Sequence, residues 1–102
     1  MDIYHYSGTE IIRIIGQRVR LYRIQIGLTQ KELAERCGIS VPTLQTIERG
    51  VSHDISFLTL LRILRGLGQL DGANTILPEI PESPYMLRES GKQVQRVRHT
   101  KS

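Results

Sequence analysis

The sequence predicts an all-α fold of four to five short helices, and three observations carry that expectation. Apolar residues recur at three- and four-residue steps, beginning with Ile12, Ile15, Val19, Tyr22 and Ile26. Residues that cap helix N-termini well, Thr29, Ser40 and Ser56, each stand directly before such a run. Gly27, Gly38 and Gly50 stand where runs should stop.

The first helix is expected to start at an N-cap, Thr9, and to run about five turns to Gly27. Its apolar stripe is the one just named, and its other face is basic, with Arg13, Arg18, Arg20 and Arg23. Thr29 caps the second helix, "QKELAERC", where Leu33 and Cys37 share a face and Gly38 ends the run. Cys37 reads as a small core residue rather than a nucleophile.

The stretch "RCGISVPTLQTIERG" packs a helix stop, a cap and a helix-compatible proline into a few residues. Ser40 opens the third helix, and Pro42 lies in its first turn, where a missing N–H does no harm. So sharp a corner is useful when two helices must be held at a fixed, steep angle. Leu44 and Ile47 are the inward anchors. At about 100° per residue, Pro42, Gln45, Thr46 and Arg49 then face the other way, with Val41 and Thr43 on the flanks.

After "GVSHDI", Ser56 caps a fourth helix, "FLTLLRILRGLG". Phe57, Leu60, Leu64 and Leu67 form its predicted stripe, and Leu58, Leu61 and Ile63 add apolar surface beside it. A helix apolar on so much of its circumference is buried on several sides or paired with another chain. "LDGANTILP" is read as a short fifth helix ending before Pro78. Three prolines in "PEIPESP" then make an extended linker to a polar tail. The predicted organisation is an N-terminal extension over 1–8, one helical domain over 9–77, and a linker with a basic tail over 78–102.

A chain of 102 residues with 39% hydrophobic content supports one domain with a modest core, so a partner subunit is expected. Residues 1–87 carry nine Lys/Arg and nine Asp/Glu, so the whole net charge of +4 comes from residues 88–102. There Arg88, Lys92, Arg96, Arg98 and Lys101 face Glu89 alone. A tail of that kind binds nucleic acid or another anionic surface, or is simply a solvated, solubilising segment. One cysteine excludes an internal disulfide framework and fits a reducing compartment. No apolar run approaches a membrane span, and "MDIYHYSGTE" lacks the basic start and apolar core of a signal peptide. The expectation is a cytoplasmic protein with no membrane partner.

Enzyme chemistry finds no foothold. His5, His53 and His99 lie far apart with no CxxC, HExxH or Gly-rich phosphate loop near them, and His53 beside Asp54 makes no site by itself. No catalytic residue, metal site or cofactor is expected.

"RIQIGLTQKELAERCGISVPTLQTIERG" followed by "SFLTLLRILRGLG" resembles the Cro/C1-type helix-turn-helix family of phage repressors and bacterial regulators, also called the XRE family. The likeness includes the "TQxELA" opening, the central glycine and the closing "IERG", and it covers about residues 10–77. It implies a lambda repressor-like domain in which the second helix braces the third, and the third lies in the DNA major groove.

Carried residue by residue, the resemblance places Val41, Pro42, Gln45 and Thr46 at base-reading positions. Gln45 suits adenine, while Val41, Pro42 and the Thr46 methyl suit a thymine methyl. Gln30, opening the second helix, matches a phosphate anchor, and Thr29, Ser40, Thr43, Arg49 and Arg20 are further backbone candidates. Arg23 and Glu48 match an arginine and a glutamate that pair within the domain. Lys92, Arg96, Arg98 and Lys101 are candidate tail contacts to DNA. Many family members have polar residues where this chain has Val41-Pro42, so direct readout is expected to be sparse and DNA shape to carry more of the specificity.

The implied function is sequence-specific binding of double-stranded DNA at a palindromic operator by a homodimeric regulator, a repressor. The alternative is a HipB-like antitoxin that autoregulates its operon and neutralises a partner toxin, a reading that the segment beyond Pro78 favours.

Overall fold

A computed structural model describes residues 2–81, and those residues form five α-helices and no strand. A single 3-10 turn, Ile3–His5, precedes α1 (Gly8–Gln25). Then follow α2 (Gln30–Cys37), α3 (Val41–Arg49) and α4 (Phe57–Gly66). A second 3-10 turn, Leu70–Gly72, leads into α5 (Ala73–Ile76).

Each of the four long helices begins on a hydroxyl cap. Ser40 accepts from the Thr43 amide and Ser56 from the Thr59 amide. Thr29 and Glu32 make a reciprocal box, the Thr29 hydroxyl accepting from the Glu32 amide and the Glu32 carboxylate from the Thr29 amide. The same arrangement starts α1, but on Ser7 rather than Thr9. Glu10 decides this correction, because it lies three residues after Ser7 and can close the box only from there.

α2 and α3 both end on a left-handed glycine, Gly38 at φ 71° and Gly50 at φ 73°. A side chain at either position would strain the turn. Between Gly38 and α3 only Ile39 and the Ser40 cap intervene, and this makes the sharp corner.

The core is Val19 from α1, Leu33, Ala34 and Cys37 from α2, Leu44 and Ile47 from α3, and Ile63 with Leu67 from α4 and its cap. Ile15, Leu28, Ile39, Val41 and Ile55 pack around it, partly buried. Two glycines let helices approach closely. A Cβ on Gly16 would fall on the Ile47 carbonyl, and one on Gly66 would fall on the Cys37 sulfur.

Two apolar stripes differ from expectation. On α4 the fully buried residue is Ile63, not the Phe57 end of the predicted stripe, and Phe57 and Leu58 are 59% and 58% exposed. The reason is that α4 packs on α2 through its C-terminal half, where Gly66 admits Cys37. On α1, Tyr22 and Ile26 are exposed together with Leu21 and Ile24, because the core contact of α1 is made by Gly16 and Val19 one turn earlier.

Cys37 is buried, and desolvation pushes its thiol above the ordinary range despite Arg36 nearby. It packs as a small apolar group. No described helix is long and apolar enough to cross a membrane.

Candidate nucleic-acid interface

The residues of α3 divide between the core and an outward strip. Leu44 and Ile47 point into the core, which leaves Pro42, Gln45 and Arg49 exposed and Thr46 half-exposed on the other side. Val41 is half-buried against the core, so only part of its side chain is on the surface.

The hydroxyls of this helix are partly committed. Thr46 donates to the Pro42 carbonyl at 2.8 Å, so its methyl and oxygen lone pairs are what remain for a partner. Ser40 and Thr43 share a hydrogen bond of 2.7 Å at the helix start, both exposed. These are the groups nearest the first turn of α3, where backbone N–H groups and the positive end of the helix dipole also lie.

Behind the strip, one ion pair ties three elements together. Arg23 of α1 donates to both oxygens of Glu48 on α3, Nε to Oε2 at 2.7 Å and Nη2 to Oε1 at 2.9 Å. Its Nη1 donates to the Leu28 carbonyl at 2.9 Å, just ahead of α2. The side chains are 13% and 1% exposed, so the pair is largely removed from water. Glu48 in turn holds the guanidinium proton more tightly than usual, chiefly through these hydrogen bonds. A bidentate pair of this kind fixes both distance and orientation, so it sets the angle of α3 on α1.

Two further contacts extend the network to the surface. Gln30, at the first position of α2, donates to Glu48 Oε1 at 3.2 Å, and Gln45 donates to Gln30 Oε1 at 3.3 Å. The phosphate-anchor candidate and the base-reading candidate are thus joined to each other. Helical spacing does not reach this link, because Gln30 lies on α2 while Gln45 and Glu48, three apart, lie on α3.

A hydroxyl-lined groove of about 390 Å³ borders the strip, a feature that helical periodicity does not foretell. Pro42, Thr43 and Thr46 form one wall, and Ser52, Asp54, Ser56 and Thr59 form the other. Thr29 is exposed at its cap, and Arg20 is exposed on α1. Lys92, Arg96, Arg98 and Lys101 lie outside the described residues.

The helix-turn-helix family model matches residues 19–71, from within α1 to the turn before α5. The chain belongs to this helix-turn-helix family. It is of the Cro/C1 (XRE) type, a family of DNA-binding transcriptional regulators. Over 51 residues the chain is 41% identical to an HTH-type transcriptional regulator of Methanothermobacter thermautotrophicus, covering 72% of that protein. Over 72 residues it is 33% identical to the HTH-type transcriptional regulator SinR of Bacillus subtilis, with the same identity to SinR of Bacillus licheniformis. The match spans 63% of the length of either SinR. Within the helix-turn-helix unit, α2 and α3 are the two helices that give the family its name.

Proposed function

We propose that this helix-turn-helix protein binds double-stranded DNA sequence-specifically as a homodimer and acts as a repressor, with α3 in the major groove. The observation that carries the reading is the outward strip of exposed Pro42, Gln45 and Arg49 with half-exposed Thr46, on a helix whose angle is fixed from behind by Arg23 and Glu48. A helix presented in this way can enter a groove that admits an α-helix, with its N-terminal residues at the base edges.

In this reading, Pro42, Gln45, Thr46 and the exposed edge of Val41 meet bases. Thr29, Gln30, Ser40, Thr43, Arg49 and Arg20 meet the backbone. The unit that does this is residues 9–77, and the tail beyond 78 adds Lys92, Arg96, Arg98 and Lys101 as arms to the phosphates. The protein works in the cytoplasm, where its operator is. Dimerisation uses the apolar residues left exposed at Phe57, Leu58, Ile76 and Leu77. The antitoxin alternative rests on the segment after Pro78, nearly all of it outside the described residues.

Selection of bound duplexes from a random pool tests the reading. The expected product is an inverted repeat with half-sites about one helical turn, roughly 34 Å, apart. Gln45→Ala should relax preference at one position per half-site by about 1–3 kcal/mol. Arg49→Ala should instead weaken all duplexes alike and lower the salt slope by about 0.9, the share of a single phosphate. A pool that emerges unenriched, or two variants that weaken specific and random DNA equally, would remove α3 as the reader.

A further inference from the structure

We propose that the groove between α1 and α4 is a binding site for a linear monocarboxylate of about ten carbons, with Arg18 as its anion anchor. The site shares no residue with the strip Pro42, Gln45, Thr46 and Arg49, and its existence does not depend on DNA binding.

The walls follow from helical spacing. Ile15, Arg18, Val19 and Tyr22 share one face of α1 at steps of three and four, and Leu60, Leu64 and Leu67 share the facing side of α4 and its cap. Val19 and Leu67 belong to the core and make the floor. Ile15, Leu60 and Leu64 are only half-buried, and Tyr22 is exposed, so the walls keep apolar surface in contact with water. Gly72 and Thr75, at α5, complete the lining. The result is a concavity of about 330 Å³ built by three elements, within the size range of small-molecule sites. Water held in such an apolar hollow is readily displaced by an apolar ligand.

Charge then selects the occupant. Among the described residues no acidic side chain lines the groove, and Arg18 is its one cation, exposed and therefore at the rim. Arg18 makes no ion pair among the described residues. An apolar floor with a single positive charge at its rim complements a molecule with one apolar body and one negative end. Thr75 has already given its hydroxyl proton to the Gly72 carbonyl at 2.7 Å, and Gln69 is neutral, so the charge-assisted contact falls to Arg18. At about 30 Å³ for each non-hydrogen atom, as for water in its liquid, the volume holds about eleven such atoms. A ten-carbon chain fills it with its carboxylate at Arg18. Phe57, Leu58, Ile76 and Leu77, assigned above to dimerisation, line none of it.

The test is titration of the full chain with decanoate, below micelle formation, followed by methyl NMR. One-to-one saturation with a Kd of about 1 mM or tighter is expected. The shifts should fall on Ile15, Val19, Leu60, Leu64 and Leu67, and not on the exposed Leu58 and Leu77. Hexanoate, shorter by four methylenes, should bind at least about tenfold more weakly. Arg18→Gln should weaken decanoate about two- to fivefold, as loss of a partly exposed ion pair does, and Arg18→Lys less. Arg36→Gln, which removes the same charge from α2, should change nothing. Leu64→Glu, which sets a carboxylate in the groove, should abolish binding, and the wild-type shift map decides the matter if that variant does not fold. Any of four results would overturn the site: no saturation, equal affinity for hexanoate and decanoate, shifts spread over the exposed apolar residues, or wild-type affinity in Arg18→Gln. If dilution of the ligand-free chain moves the same methyls, the groove belongs to a second copy and the carboxylate site falls.

Discussion

Gly16 is fixed by what lies opposite it. An alanine methyl there would occupy the position of the Ile47 carbonyl oxygen, a backbone atom that cannot swing aside without moving α3. Gly16→Ala should therefore destabilise the fold by about 1–3 kcal/mol or more, as overpacking does. Gly8→Ala, with nothing near the added methyl, should be neutral or gain up to about 1 kcal/mol. Thermal melts of the two variants make the comparison, and equal melting temperatures would show that α1 and α3 are not in close contact. The Arg23–Glu48 pair gives a second contrast. Glu48→Ala strands a mostly buried guanidinium and should cost about 3–5 kcal/mol. Adding Arg23→Ala to it should cost less than the sum of the single changes, read as coupling in a double-mutant cycle.

Helix boundaries were largely legible, because each is written in a few adjacent residues. Thr29, Ser40 and Ser56 mark starts, and Gly38 and Gly50 mark ends, and the described helices begin and stop there. The start of α1 is less legible, since Ser7 and Thr9 are both good caps and only the partner at Glu10 separates them. Which way a helix turns its apolar side was legible for α3, with one narrow inward pair, and not for α4, whose leucines leave no single stripe to choose. The outward strip of α3 follows from 100° spacing; the Gln30–Gln45 bond does not, because it joins two helices across the corner. The caps also predict a pH response. Hydrogen bonds from the Ser7 and Thr29 amides and hydroxyls hold Glu10 and Glu32 below their ordinary value of 4.5. A lowered folded value means that this stabilisation is complete above pH 4.5 and is lost as pH falls through the lowered values. Denaturant midpoints should fall between pH 5 and 3, and the fall should be shallower in a Glu10→Gln, Glu32→Gln double variant. An unchanged acid limb would mean that the boxes are open in solution.

Assembly and charge decide how the domain meets DNA. Leu77 is 86% exposed, and Phe57, Leu58 and Ile76 are exposed as well, each without a partner among the described residues. Sedimentation at micromolar concentration should show a dimer, and Leu58→Glu or Leu77→Glu should shift it towards monomer; a monomer in the wild type would remove the dimer. Because residues 1–87 carry no net charge, the polyanion must be drawn by local patches or by the tail. Deleting residues after Pro84 should lower the slope of log K against log salt by about 0.9 for every phosphate that the tail neutralises. A truncated chain with full affinity and the same slope would assign the tail to a protein partner instead.

The division of labour within α3 limits how this protein can be redirected. Leu44, Ile47 and Glu48 are spoken for by the core and by Arg23, and Gly50 closes the helix with a turn that a larger residue resists. In the proposed reading, an engineer seeking a new operator has an alphabet of three letters to rewrite, Pro42, Gln45 and Thr46, with the exposed edge of Val41 beside them, and a change at Gln45 also removes its hydrogen bond to Gln30. Transplanting a whole foreign helix would bring in residues that Gly16 and Arg23 were not shaped to receive. Changes confined to those exposed positions keep the chassis and alter only the text that the proposed reading assigns to it.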